Sequence, residues 1–291
     1  MAGTAPSKLH TIELRNIRGD RVNVMTLGGR ICDWVIGAGL GEPFNIVLGY
    51  PDERDYLDDP SYLGAIAGRY CNRIANSRFV IDDANIALCA NDGLHHLHGG
   101  PEGFSRRVWT IKDRSEQHVQ LGLLSAHGDQ GYPGNLDVSV NYTLDNEGDL
   151  HIAWQAHADA DTVVSLTSHA YFNLGGDDIL DHHLQIAAPH YTPVDADLIP
   201  TGEIRDVSGT VLDLREFARL GDIVSSEAPE VRTTQGLDHN WAGGAPGEMK
   251  LRARLFCPAT QLLLSVSSTL PGLQCYTGNH LQATGIHRRH R

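Results

Sequence analysis

The stretch "LDVSVNYTLDNEGDLHIAWQAHAD", residues 136–159, decides the fold. Leu136, Val138, Val140, Tyr142 and Leu144 alternate with polar residues, and Leu150, Ile152, Trp154 and Ala156 repeat the pattern after a break. A period of two is the signature of a strand with one face in the core. Between the runs stands "DNEGD", whose Asp, Asn and Gly supply the backbone angles of a turn. The two runs therefore read as an antiparallel hairpin. The same alternation returns in "QLLLSVSSTL" (261–270), and "GDQGYPGN" (128–135) and "LGGDD" (174–178) carry further turn chemistry. No strands alternate with long amphipathic helices, which disfavours a doubly wound nucleotide fold. "TVLDLREFARLGD" (210–222) is the clearest helical candidate, expected to be short and peripheral. With no internal repeat and no Pro/Ser-rich linker, we expect an all-β class, a large antiparallel sandwich forming one domain over residues 1–291.

Charge narrows the function. The chain has 23 Lys+Arg against 36 Asp+Glu, a formal net charge of -13, so its field repels phosphate backbones and anionic headgroups. Neither nucleic acid nor membrane is an expected partner. No apolar leader and no long apolar run is read at the start or later, so a soluble, cytoplasmic location is expected. The five cysteines, Cys32, Cys71, Cys89, Cys257 and Cys275, form no C-x-x-C pair and read as free thiols.

Four stretches place polar groups inside otherwise apolar, glycine-punctuated sequence, where functional sites are expected. In "GAIAGRYCNRIANSRF" (64–79), Arg69, Asn72, Arg73 and Asn76 stand among Ala, Ile and Gly. Two arginines on a surface loop explain them; so do planar donors holding sugar hydroxyls or a carboxylate in fixed geometry. "NDGLHHLHGG" (91–100) holds His95, His96 and His98. On a strand His96 and His98 share a face while His95 points away, and no acidic residue completes a metal set, so donation to a sugar hydroxyl fits as well as a metal. The "GG" that follows lets the backbone approach a ligand closely.

"SLTSHAYFNLGG" (165–176) puts His169 at the end of a β-type run, before Tyr171 and Phe172. It is either a packed structural residue or a proton carrier with Thr167, Ser168 and Asn173 as orienting groups and the rings as a sugar platform. In "GLDHNW" (236–241), Asp238 either makes an Asx turn or accepts hydrogen bonds from two adjacent hydroxyls.

Taken in order, "GRYCNRIANSRF", "LHGG", "SHAYFNLGG", "GLDHN" and "GLQCYTGNHL" (272–281) resemble the galactose mutarotase (aldose 1-epimerase) family, from about residue 8 to about residue 281. The resemblance implies a β-supersandwich, no cofactor and no metal, a monosaccharide as the partner, and a monomer or homodimer. It implies interconversion of the α and β anomers of hexoses such as galactose or glucose. His169 would be the general acid that protonates the ring oxygen, and Asn72, Arg73, His98, Asp238 and Gln274 would line the sugar pocket. Ring opening needs an acid and a base on opposite sides of the sugar. A non-catalytic carbohydrate-binding protein on the same scaffold is the alternative; a sugar-phosphate epimerase would need a cationic pocket that the sequence does not show.

The chain departs from the family pattern in places. Cys71 occupies a position that is usually small, and Ser168 and Ala170 flank the histidine where Asn and Thr are frequent. After "YTGNHL" the family continues to a strand carrying the catalytic glutamate, whereas here "QATGIHRRHR" (282–291) follows and no glutamate occurs after Glu248. A truncated or frame-shifted product, altered after about residue 281, is the expectation; a base recruited from elsewhere and a loss of catalysis are the other two explanations.

Overall fold

Short antiparallel ladders account for nearly all regular structure in the computed structural model, which describes residues 9–37 and 42–281. The stretch after residue 281, where an altered C-terminus is expected, lies outside the described residues. The chain falls into two compact units, the first within Met1–Phe172 and the second within Asn173–Gln282.

The first unit carries two four-stranded sheets. One runs in chain order through Thr11–Arg15, Arg21–Met25, Arg30–Ile36 and Phe44–Asn45. The other runs in chain order through Thr110–Arg114, His118–Ser125, Leu136–Leu144 and Leu150–Ala158. The expected hairpin forms, pairing Leu136 with Ala158 through to Leu144 with Leu150 without a bulge. Its period is visible in burial: Leu136, Val138, Val140, Tyr142 and Leu144 are at most 1% exposed. Tyr142 links the two sheets, its buried hydroxyl donating to the Gly29 carbonyl at 2.6 Å. Three two-stranded ladders sit beside them: Ile66–Ala67 with Thr167–Ser168, Arg73–Ile74 with His96–Leu97, and Arg78–Ile81 with Ala84–Ala87.

The second unit repeats the principle. Ala218–Arg219, His183–Ile186, Lys250–Cys257 and Leu262–Ser268 make one sheet; Arg205–Asp206, His190–Thr192, Asp238–Ala242 and Gly272–Tyr276 make the other. Leu184, Ile186 and Ala253 from the first meet Tyr191 and Trp241 from the second in one core that also takes in Leu212 and Leu214. That packing explains a correction. Residues 210–222 do not form the expected helix; only Leu220–Val224 is helical there. The Leu214 carbonyl accepts from Ile186 N at 2.7 Å and the Leu212 carbonyl from Trp241 Nε1 at 3.1 Å. Carbonyls spent on the sheet and on an indole are unavailable to an i→i−4 ladder, and Leu212 and Leu214 reach the core from a turn instead.

Candidate active site

Two short ladders in the first unit bring two imidazoles edge to face. Thr167–Ser168 pairs with Ile66–Ala67, and just beyond it His169 N donates to Ala65 O at 2.8 Å while Gly64 N donates to His169 O at 3.0 Å. His98 follows the strand His96–Leu97, whose partner is Arg73–Ile74. The two rings meet at 5.2 Å, nearly perpendicular at 88°. Tyr62 covers both, stacked on His169 at 5.8 Å and edge-on to His98 at 4.7 Å, and Tyr171 packs on His169 at 5.1 Å.

The protonation of His98 follows from its partner. Asn72 N donates to His98 Nδ1 at 3.0 Å, and an amide N–H can only donate, so the ring is neutral with its proton on Nε2. Burial holds its pKa well below the ordinary value, helped by the nearby His169 and by the Arg73 charge. Burial also lowers the pKa of His169. The His169 ring contacts are aromatic, and a hydrogen bond to its own backbone and the charge of Asp59 oppose the effect of burial.

Arg73 stands beside this pair on a fixed base. Its Nε donates to Asp92 Oδ2 at 2.7 Å, and its side chain is 15% exposed. Its Nη atoms have no partner among the described residues. Asn72 completes the group, its Oδ1 accepting from Arg73 N at 2.8 Å. Asn72 (φ 63°), His98 (φ 52°) and Tyr62 (φ 56°) all adopt left-handed backbone, which turns each residue out of its neighbouring strand or loop direction.

In the second unit, Asp238 opens the strand Asp238–Ala242 and Gln274 lies in its neighbour Gly272–Tyr276, where Asn240 is opposite Gln274. Gln274 Nε2 donates to Asp238 Oδ1 at 2.6 Å. Alternation sends His239 and Trp241 inward, where His239 packs on both Tyr191 and Trp241. Burial pushes the His239 pKa down to about 4 and the Cys275 thiol up to about 12.

With this geometry in view, the comparisons decide the family. The model of the Aldose 1-epimerase family matches residues 10–289. The chain belongs to the aldose 1-epimerase family. It is 40% identical to the galactose mutarotase of Rattus norvegicus over 287 residues, covering 97% of this chain and 82% of the relative. It is 38% identical to the aldose 1-epimerase of Escherichia coli (strain K12) over 279 residues, 94% of this chain and 80% of the relative. Among solved structures, a galactose 1-epimerase from Lactobacillus acidophilus NCFM superposes with a TM-score of 0.85 at 30% identity, covering 98% of this chain and 83% of that one. The all-β sandwich expected from residues 136–159 is the fold of this aldose 1-epimerase family member.

Within this family member, Asn72, Arg73, His98 and His169 lie together in the first unit, and Asp238 and Gln274 lie together in the second. Other expectations are corrected. Neither Arg69 nor Arg73 is a free surface group: Arg69 is 1% exposed and donates to Pro133 O, Gly134 O and Ser125 Oγ, and Arg73 is tied to Asp92. The three histidines of 91–100 do not converge. His96 lies between Cys89 O and the Tyr132 hydroxyl, His95 Nδ1 accepts from Asn76 N, and His98 has left the strand at positive φ, so alternation does not relate it to His96. The "GG" serves the chain itself: a Cβ on Gly99 would stand 1.7 Å from Gly68 O. Asp238 lies in a strand rather than an Asx turn, and Asn173 bonds Gly175 N instead of orienting His169. Sequence reasoning missed Tyr62 and Asp92. The only signal for Asp92 was its place in a turn two residues after Ala90 and three before His95; nothing marked Tyr62.

No described helix is long and apolar enough to cross a membrane.

Proposed function

We propose that the chain is a hexose mutarotase, interconverting the α and β anomers of aldoses such as galactose or glucose, with His169 as the general acid. The observation that carries this reading is the His169 imidazole itself, held by ring contacts and two backbone bonds and lowered in pKa by burial. A group of lowered pKa is a stronger acid when protonated, and its neutral form is ready to take the proton back.

The electron count is simple. Protonated His169 delivers its proton to the ring oxygen as the C1–O5 bond breaks; the anomeric hydroxyl passes its proton to a solvent water, the O–H pair becomes the second C–O bond, and C1 becomes a carbonyl. Rotation about C1–C2 exposes the other face. Reclosure reverses both transfers, and His169 regains the proton from the C5 hydroxyl. His98 Nε2–H and the Arg73 Nη groups are donors suited to sugar oxygens, Asn72 supplies a further amide, and Asp238 with Gln274 supplies a carboxylate and amide for adjacent hydroxyls. The preferred partner is a free monosaccharide.

Polarimetry of freshly dissolved α-galactose tests the reading. The wild-type chain should speed mutarotation well above the spontaneous rate, and His169→Gln should lower kcat by at least about 100-fold. Galactose binding by calorimetry with no acceleration would replace the enzyme by a carbohydrate-binding protein on the same scaffold.

A further inference from the structure

We infer that Asp92 is a positioning residue for Arg73, acting on sugar binding through the guanidinium; this rests on the hexose reading above. The carboxylate engages Nε, the inner edge of the guanidinium, at 2.7 Å, and leaves the outer fork of Nη1 and Nη2 for a ligand. A carboxylate placed for stability alone would gain more from the bidentate fork.

The position of Asp92 is itself built. Asp92 and His95 exchange backbone bonds, Asp92 N to His95 O at 3.1 Å and His95 N to Asp92 O at 2.9 Å, closing a turn with Gly93 at φ 60°. Asn91 then clamps that turn to the strand opposite Arg73: Leu97 N donates to Asn91 Oδ1 at 2.7 Å and Asn91 Nδ2 to Leu97 O at 2.9 Å, while Leu97 pairs with Arg73. The Asp92 backbone is therefore tied through backbone and amide bonds to the strand that pairs with Arg73. A long side chain with about 2 kcal/mol of rotamer entropy is held in one place before the sugar arrives. Asp92 also offsets the Arg73 charge, which acts on His98.

The test is a double-mutant cycle read in kcat and KM, with galactose affinity measured by calorimetry. Asp92→Ala should raise KM and Kd about tenfold, the scale of one charge-assisted hydrogen bond, while kcat changes less than about twofold. Asp92→Asn, which preserves shape, should fall between wild type and Asp92→Ala. In an Arg73→Ala background, Asp92→Ala should add no further loss. An equal loss in both backgrounds, or unchanged affinity in folded Asp92→Ala, overturns the role and leaves the hexose reading standing. Wild-type protein that neither binds nor turns over hexose overturns both.

Discussion

Tyr62 shows how one side chain sets the acidity of another. Its ring lies flat against His169 and edge-on to His98, so it excludes water from both. Burial by Tyr62, His98 and Tyr171 lowers the His169 pKa, outweighing a hydrogen bond to its own backbone and the longer-range charge of Asp59, which both raise it. Removing the ring should therefore let water reach the imidazole and raise its pKa toward the ordinary value near ~6.5. We expect Tyr62→Ala to shift the His169 titration upward in a histidine NMR series. A titration unchanged in the folded variant would assign the lowered pKa to something other than this ring.

At the scale of elements, the strand Asp238–Ala242 pairs a polar face with a buried one, and the buried face carries His239 at 2% exposure. Its folded pKa of about 4 lies below the value near ~6.5 expected in the unfolded chain. Between those two values the unfolded state binds more protons, so stability rises with pH there. The contribution is complete above about pH 6.5 and is lost as pH falls toward 4, on the order of 3 kcal/mol in all. Thermal melts at pH 7 and pH 4.5 should show a wide gap in wild type and a narrower one in His239→Gln; equal gaps would refute the assignment.

The same scale shows what the sequence made legible. Leu136–Leu144 and Leu150–Ala158 were readable because a long unbroken alternation can satisfy only one geometry, and a nine-rung ladder followed. Residues 210–222 misled because their apolar spacing fits a helix, while the carbonyls of Leu212 and Leu214 are claimed by partners distant in sequence, Trp241 and Ile186. "GLDHNW" left an Asx turn open because Asp and Asn carry turn propensity, yet pairing with Gly272–Tyr276 makes it a strand. Residue types left His98, His169 and Arg73 open between structural and sugar-binding roles, and the family resemblance supplied the roles. Tyr62 and Asp92 act through placement by left-handed turns, and short turns of that kind leave little pattern to read.

For the whole molecule, the charge of -13 predicts how sugar recognition responds to salt. A neutral hexose feels no net Coulomb attraction, so screening changes neither its approach nor its hold on short hydrogen bonds. Raising salt from about 0.05 to about 0.5 M should alter kcat/KM for galactose by less than about twofold, measured by polarimetry. A steep salt dependence would indicate an anionic substrate and argue against a free sugar.

The left-handed backbone at Tyr62, Asn72 and His98 has a consequence for anyone evolving this chain. Each position carries strain on the order of 1 kcal/mol that glycine would relieve, because glycine has no Cβ to crowd the carbonyl. A library screened for heat resistance alone would thus be drawn to glycine at these three residues, discarding an imidazole, an amide and a phenol together. Thermostabilised descendants of this protein are best chosen by survival and sugar turnover in the same screen.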